Sequence, residues 1–272
     1  MQVNRRLLLV LGGLLGGGLW HREVAAAGPA VPADLKRVGQ GRVVEVVDGD
    51  TVRLDNREQV RLVGTQAPKL PLGRPGYPTW PLGPESRAHL AELVAGQRVE
   101  LWSGGTRRDR HGRVLAHLVT GDGTWIQGAM LRDGFARVYT FKDNRAAIRP
   151  MLALEAAARA SRLGLWADTT YRVRQADEAG LAAEAGGVPG YHLVEGKVLR
   201  VGQSRGRWFL NFGQDQRSDF TATVAPEDTD VFEEAGIDIA GYKGHKLRIR
   251  GWIEDRNGAS IDVTHPEQIE IL

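Results

Sequence analysis

Two features of this 272-residue chain combine residue types at spacings that could do chemistry. Asp48-Gly49-Asp50 sets two carboxylates side by side, where they would repel unless a positive group lay close. Arg107, Arg108, Arg110 and Arg113 crowd one short segment interrupted by Asp109. Clustered guanidiniums offer the forked donors that grip phosphate oxygens, and local clustering of this kind is the electrostatic footprint of a phosphate ligand. A solvated hairpin turn would account for the same run, and composition does not decide between the two. Other chemistries are excluded more firmly. Cysteine is absent, which rules out disulfides, a thiolate metal site and lipoprotein attachment. Neither Gly196-Lys197 nor Gly244-His245 completes a phosphate loop, and no Ser/His/Asp set or metal-spaced histidine cluster stands out.

The elements that must position these residues follow from periodicity and punctuation. Val43, Val44, Val46 and Val47 predict a buried strand, Asp48-Gly49-Asp50 its turn, Val52 and Leu54 an outgoing strand, and Val60 to Val63 a third. The Pro- and Gly-rich stretch 70–82 predicts an ordered surface loop. Pro84, Glu85 and Ser86 open a helix with Ala88, Ala91, Val94 and Ala95 on one face, stopped by Gly96. Strands at 98–102 and 114–119 bracket the arginine segment, and helices at 124–132 and 150–163 end at Gly134 and Gly164. The fold class expected is mainly β with α: a five-stranded Greek-key barrel of the OB type with three helices. Residues 169–190 turn to Ala, Glu and Gly and predict a linker with one short helix. Residues 191–272 carry strands at 192–201, 207–212, 220–224, 246–253 and 260–263, a helix near 228–235 and a closing strand at 267–272, predicting a second, smaller OB-like barrel. In it, Lys246, Arg248 and Arg250 alternate with Leu247 and Ile249 as a cationic stripe over a core face. Trp208, Phe212, Phe220 and Trp252 could be a base-stacking platform or fill the barrel.

The run Gly41-Arg42-Val43-Val44-Glu45-Val46-Val47-Asp48-Gly49-Asp50, its continuation Arg61-Leu62-Val63-Gly64-Thr65-Gln66-Ala67-Pro68-Lys69, the segment from Thr106 to Arg113, and Gly164-Leu165-Trp166 together resemble the thermonuclease (staphylococcal nuclease-like) family over residues 38–168. The resemblance implies a calcium ion held by carboxylates, a glutamate that orients the attacking water, and two arginines that neutralise the phosphate. It carries the metal role to Asp50 and Asp48 and the phosphate clamp to Arg61 and Arg113. It implies Arg107, Arg108 and Arg110 as nucleic-acid contacts, and base stacking by Tyr139 and Phe141, for which core packing is an equal alternative. Two positions depart from the family pattern. Gln66 stands for the second metal aspartate, and Lys69 for the catalytic glutamate. A neutral amide weakens or loses the calcium site, and an ammonium repels the cation and cannot accept a proton. A replacement base would have to come from His111 or Glu85, although a solvated turn and a helix first turn explain those residues better. Charge compensation predicts that the Lys69 ammonium fills the cation's place and pairs with Asp50 or Asp48.

Residues 1–27 belong to neither unit. Arg5 and Arg6 precede an apolar, Gly-rich run shorter than the roughly 20 residues that cross a bilayer, and Ala25-Ala26-Ala27 offers a small-residue cleavage site. A secretory signal peptide is expected, with a retained anchor or a twin-arginine export signal as alternatives, and hence a secreted or periplasmic protein. Arg5, Arg6, Arg22 and Glu23 contribute +2 of the formal +3 charge, so the remainder carries +1 and global charge says nothing of nucleic acid. DNA or RNA is the expected partner. The functions to be separated are a phosphodiesterase with altered catalytic residues, a nucleic-acid-binding module without turnover, and an envelope protein-interaction scaffold.

Overall fold

The computed structural model describes residues 28–187, 190–215 and 218–272. The expected signal peptide, 1–27, lies outside the described residues. In the N-terminal unit β1 (Lys36–Asp48), β2 (Thr51–Leu54) and β3 (Gln59–Leu62) form the predicted meander. A short β4 (Thr65–Gln66), helix α1 (Gly83–Val94), β5 (Arg98–Ser103), β6 (Val114–Thr120), α2 (Ile126–Arg132), β7 (Arg137–Val138) and α3 (Ile148–Ala160) follow. Strands β1, β2, β3, β6 and β5 close a barrel in that order, with β3 parallel to β6 and the other pairs antiparallel. The OB-like barrel with three helices is as the sequence predicts.

Two details depart from the periodic reading. Strand β1 carries register shifts between Val43 and Glu45 and between Val46 and Asp48, so Val43 and Val46 enter the core while Val44 is exposed. A bulge adds a residue and so breaks strict alternation. On α1 the buried face is Gly83, Ser86, Leu90 and Val94, whereas Ala88, Ala91 and Ala95 line an open groove beside Val44 and Val46. Leu90 has more apolar area to bury than the three alanines, and it sets which face turns inward.

The C-terminal unit comprises β8 (Arg174–Gln175), β9 (Tyr191–Lys197), β10 (Arg200–Ser204), β11 (Arg207–Asn211), β12 (Thr221–Val224), α4 (Pro226–Glu234), β13 (Lys246–Trp252), β14 (Glu254–Asp255), β15 (Ala259–Val263) and β16 (Ile269–Ile271). Among the described residues its ladders close no second barrel. They form two sheets, β10-β11-β12-β15-β14 and β16-β13-β9-β8, over one apolar core. The chain passes from one sheet to the other at Val198-Leu199 and at Ile253, and these corners replace a continuous ladder. Part of the expected linker belongs to this unit: β8 pairs parallel with β9, and Leu181 joins the core.

The two units are joined by buried polar contacts. Arg250, fully buried at the end of the expected cationic stripe, donates to both carboxylate oxygens of Glu155 on α3 at 3.2 and 2.9 Å and to Glu270 at 2.5 Å. Arg248 is spent on Glu195 and Glu270. The stripe is therefore not a ligand surface. Arg145 forks onto Glu267, and Thr140 Oγ1 lies 2.7 Å from His265 Nε2, across the same boundary.

Candidate nucleic-acid interface

Gly49 explains how the two carboxylates come under α1. A Cβ there would lie 2.1 Å from Ser86 Oγ and 2.6 Å from the Ala67 Cβ, so only glycine lets the tip pack against the helix and the 65–68 segment. Asp50 has no exposed side-chain surface and Asp48 very little. Lys69 arrives from the segment after β4 and places Nζ 2.8 and 2.7 Å from the two Asp50 oxygens and 3.5 Å from Asp48 Oδ2. The Ala67 amide donates to Asp50 Oδ2 at 2.8 Å, and Arg61 Nη2 stands 3.2 Å from the same oxygen. Burial pushes the Asp50 carboxyl toward its neutral form, but the Arg61 guanidinium and the Lys69 ammonium more than offset it and hold the group well below the usual carboxylate range. Asp48 is raised instead, by burial and by the charge on Asp50, against the pull of Lys69 and Arg61. The pair has settled into one firmly ionised member and one that resists ionisation.

The other expected site residues are placed unequally. Arg61 is mostly buried, and its terminal nitrogens also donate to the carbonyls of Asp50, Leu62 and Thr65 at 3.3, 2.8 and 2.6 Å. It braces the barrel wall as much as it faces a ligand. Gln66 does not turn its oxygen to the carboxylates: Oε1 accepts from Arg137 Nε and Nη2 at 3.0 and 2.7 Å, which occupies both lone pairs. Arg113 gives Nε to Asp109 at 2.7 Å and stays one-third exposed. Arg108 is exposed and shared with Glu58 at 2.5 Å and the Gly112 carbonyl. Asp109 organises the arginine loop, accepting from the amides of His111 and Arg113, so that loop is ordered and not merely solvated. Arg110 is exposed, and its Nε donates to His111 Nε2 at 3.2 Å. Arg107 is exposed on the same loop but outside the cleft lining, as is Glu85 on α1.

A cleft of about 800 Å³ gathers Asp48, Arg61 and Lys69, the loop residues Arg108, Arg110 and Arg113, and the rings of Tyr139 and Phe141 in one lining. Tyr139 is partly buried and Phe141 half exposed, so packing accounts for the first ring and leaves the second free to face a ligand. Two participants were not singled out from the sequence. Arg137 holds Gln66 and reaches the Tyr191 carbonyl of the C-terminal unit at 2.6 Å. Arg74 lines the cleft from the Pro-rich loop, its guanidinium 3.8 Å over the Tyr77 ring and bonded to the Leu70 and Pro71 carbonyls. An arginine beside an aromatic ring in a Pro/Gly loop was the available signal for that one, while nothing in the sequence near Arg137 sets it apart.

A family model described as staphylococcal nuclease homologue matches residues 59–168. A protein from Escherichia coli named as an uncharacterized endonuclease is 36% identical over 143 residues, covering 52% of this chain and 82% of that protein. The chain belongs to the thermonuclease-like family. Endonuclease YncB of Bacillus subtilis (strain 168) is 27% identical over 157 residues, 56% of this chain and 73% of its own length. The thermonuclease of Staphylococcus hyicus is 27% identical over 123 residues, 43% and 71% respectively.

For a thermonuclease-like protein the metal question has a specific answer here. Among the described residues no group of three or more His, Cys, Asp or Glu side chains gathers to hold an ion. The Lys69 ammonium already covers both Asp50 oxygens, and Gln66 is committed to Arg137. A divalent cation would meet a fixed positive charge at contact distance, so the residues present do not fit the family's calcium ion.

Proposed function

We propose that this thermonuclease-like protein binds nucleic acid, DNA or RNA, through its phosphates and does not hydrolyse it by the family's calcium-dependent route. The observation that carries this reading is the Lys69 ammonium at 2.7 and 2.8 Å from the two oxygens of Asp50. Phosphodiester hydrolysis needs a group to take a proton from water and positive charge for the pentacoordinate phosphate. An ammonium cannot serve as the first, and its charge is spent on Asp50, while Arg61 is divided between that carboxylate and the carbonyls of Asp50, Leu62 and Thr65. The exposed arginines of the 107–113 loop keep affinity for a polyanion available. That relatives are named endonucleases supports nucleic acid as the ligand class.

A phosphodiesterase with a different base is the second reading, favoured by the exposed His111 in the cleft beside Arg110. Incubating the purified protein with labelled single- and double-stranded DNA and RNA, with calcium, magnesium, manganese or chelator and at several salt concentrations, separates the two. Binding without cleavage, weakening with salt, is expected. Arg113→Ala should lower affinity and reduce the salt slope by about one. Cleavage abolished by Arg113→Ala would replace the binding reading with the enzymatic one.

The proposal includes an exported, secreted or periplasmic location. Gly28 and Pro29 pack on Thr124 and Trp125, and a mature chain starting at Gly28 would keep those contacts. N-terminal sequencing of the native protein should read from Gly28, and an intact N-terminus recovered in membranes would reverse this part of the proposal.

A further inference from the structure

We infer that the C-terminal unit adds a nucleobase-stacking subsite to the cleft, with Trp252 as its platform, and that the ligand is therefore single-stranded nucleic acid. The inference rests on the nucleic-acid reading above and deepens it. Trp252 ends β13 and is 44% exposed although it is a large aromatic side chain, and it lines the same cleft as Lys69 and Arg113. Its position is fixed from the other unit, because the indole Nε1 donates to the Tyr139 hydroxyl at 3.2 Å. Tyr139 is the hub of an aromatic cluster, meeting Phe141, Tyr191 and Trp252 edge to face at centroid separations of 4.9, 5.0 and 6.4 Å. Gly190 closes part of one side of the indole: a Cβ there would approach its six-membered ring at 3.0 Å. Buried Tyr191 adds a further edge contact at 5.9 Å.

Such an arrangement leaves two held rings, Trp252 and Phe141, with apolar surface turned to water, while Tyr191 is covered and Tyr139 partly so. Core packing would have buried them, and an isolated surface ring would not be tied by its N–H to another element. The same cleft is lined by Arg108, Arg110 and Arg113. Cationic groups for the backbone in one cleft with fixed aromatic surfaces are what an unpaired strand needs, since its bases can splay out to stack while its phosphates are neutralised. In a duplex the same base faces are stacked on one another and cannot reach the rings.

The test is fluorescence anisotropy with labelled oligonucleotides on the full chain. A single-stranded 12-mer, its duplex, and an abasic strand of equal length are titrated into the parent protein, Trp252→Ala and Trp252→Phe. The parent should favour the single strand over both the duplex and the abasic strand by about tenfold or more. Trp252→Ala should lose about tenfold on the single strand and little on the abasic one, and Trp252→Phe should recover most of the loss. The parent comparison stands even if Trp252→Ala folds poorly. Equal affinity of the parent for the normal and abasic strands would overturn the stacking inference while leaving phosphate binding intact. Absence of binding to every strand would overturn the nucleic-acid reading itself, and this inference with it.

Discussion

Replacing Lys69 by Met keeps the stem's apolar bulk and removes the charge that sits on Asp50. Deleting one partner of a buried ion pair costs about 3–5 kcal/mol when nothing else compensates. Here Arg61 at 3.2 Å and the Ala67 amide at 2.8 Å remain on the carboxylate, and Lys69 is 19% exposed. The expected destabilisation at pH 7 is therefore roughly 1–3 kcal/mol, after discounting for those partners and for solvent screening. The pH dependence gives the sharper check. Asp50 is held below its ordinary value of 3.8 in the folded protein, so the stability it confers is present above that value and is lost as pH falls through the lower, folded one. Asp48 is raised, so its ionised form costs stability at neutral pH, and Lys69 relieves part of that cost. Lys69's share of both terms is removed with the ammonium, and both shares count most when the carboxyls are ionised. The gap between parent and Lys69→Met, measured by urea denaturation, should be largest near pH 7 and shrink below about pH 4. A variant as stable as the parent at pH 7, or a gap that stays constant into acid, would refute the pairing as the reason for Lys69.

Restoring the acidic pattern with Gln66→Asp and Lys69→Glu should create a calcium site: calorimetry is expected to show none in the parent, and calcium at about 100 times its dissociation constant should stabilise the double variant by about 2.7 kcal/mol. Because Arg137 already grips Gln66 through two nitrogens, Lys69→Glu alone should do most of this work, and a larger calcium response from Gln66→Asp alone would contradict the geometry. Arg250→Met leaves Glu155 buried with Arg159 at 3.2 Å and the Val138 amide, and is expected to cost about 3–5 kcal/mol and to open the unit boundary to limited proteolysis. A loss under about 1 kcal/mol would show that the pair does not join the units. Burial pushes the His265 imidazole down to about 4 from 6.5, so the unfolded chain takes up the proton first and stability falls as pH drops from 6.5 toward 4. His265→Gln should flatten that slope by up to about 1.4 kcal/mol per pH unit in chemical denaturation.

What the sequence determined by itself was the set of features written in local patterns. The valine-rich strand, the Asp-Gly-Asp turn and the glycine stops are read from backbone sterics and side-chain periodicity, and they sufficed for the N-terminal barrel, its helices and the family. The Lys69 pairing was also legible, since two adjacent carboxylates require a counter-charge and the family pattern puts position 69, a lysine in this chain, beside them. Long-range placement decided the rest. Bulges turned Val44 outward, and α1 buried Leu90 in place of an alanine face, because the register and rotation of an element depend on what it meets. Two corners opened the second set of strands into a pair of sheets. Lys246, Arg248 and Arg250 look like a ligand-facing stripe in one dimension, but the opposing carboxylates Glu155, Glu195 and Glu270 come from distant segments and absorb the charge. Tertiary structure likewise separated Trp252 from Phe212 and Phe220, equivalent aromatics in the sequence, by burying two in the core and leaving one at the cleft. Whether a ring or a cation is spent on packing or left for a ligand depends on which remote groups it meets, and only the folded chain brings those groups together.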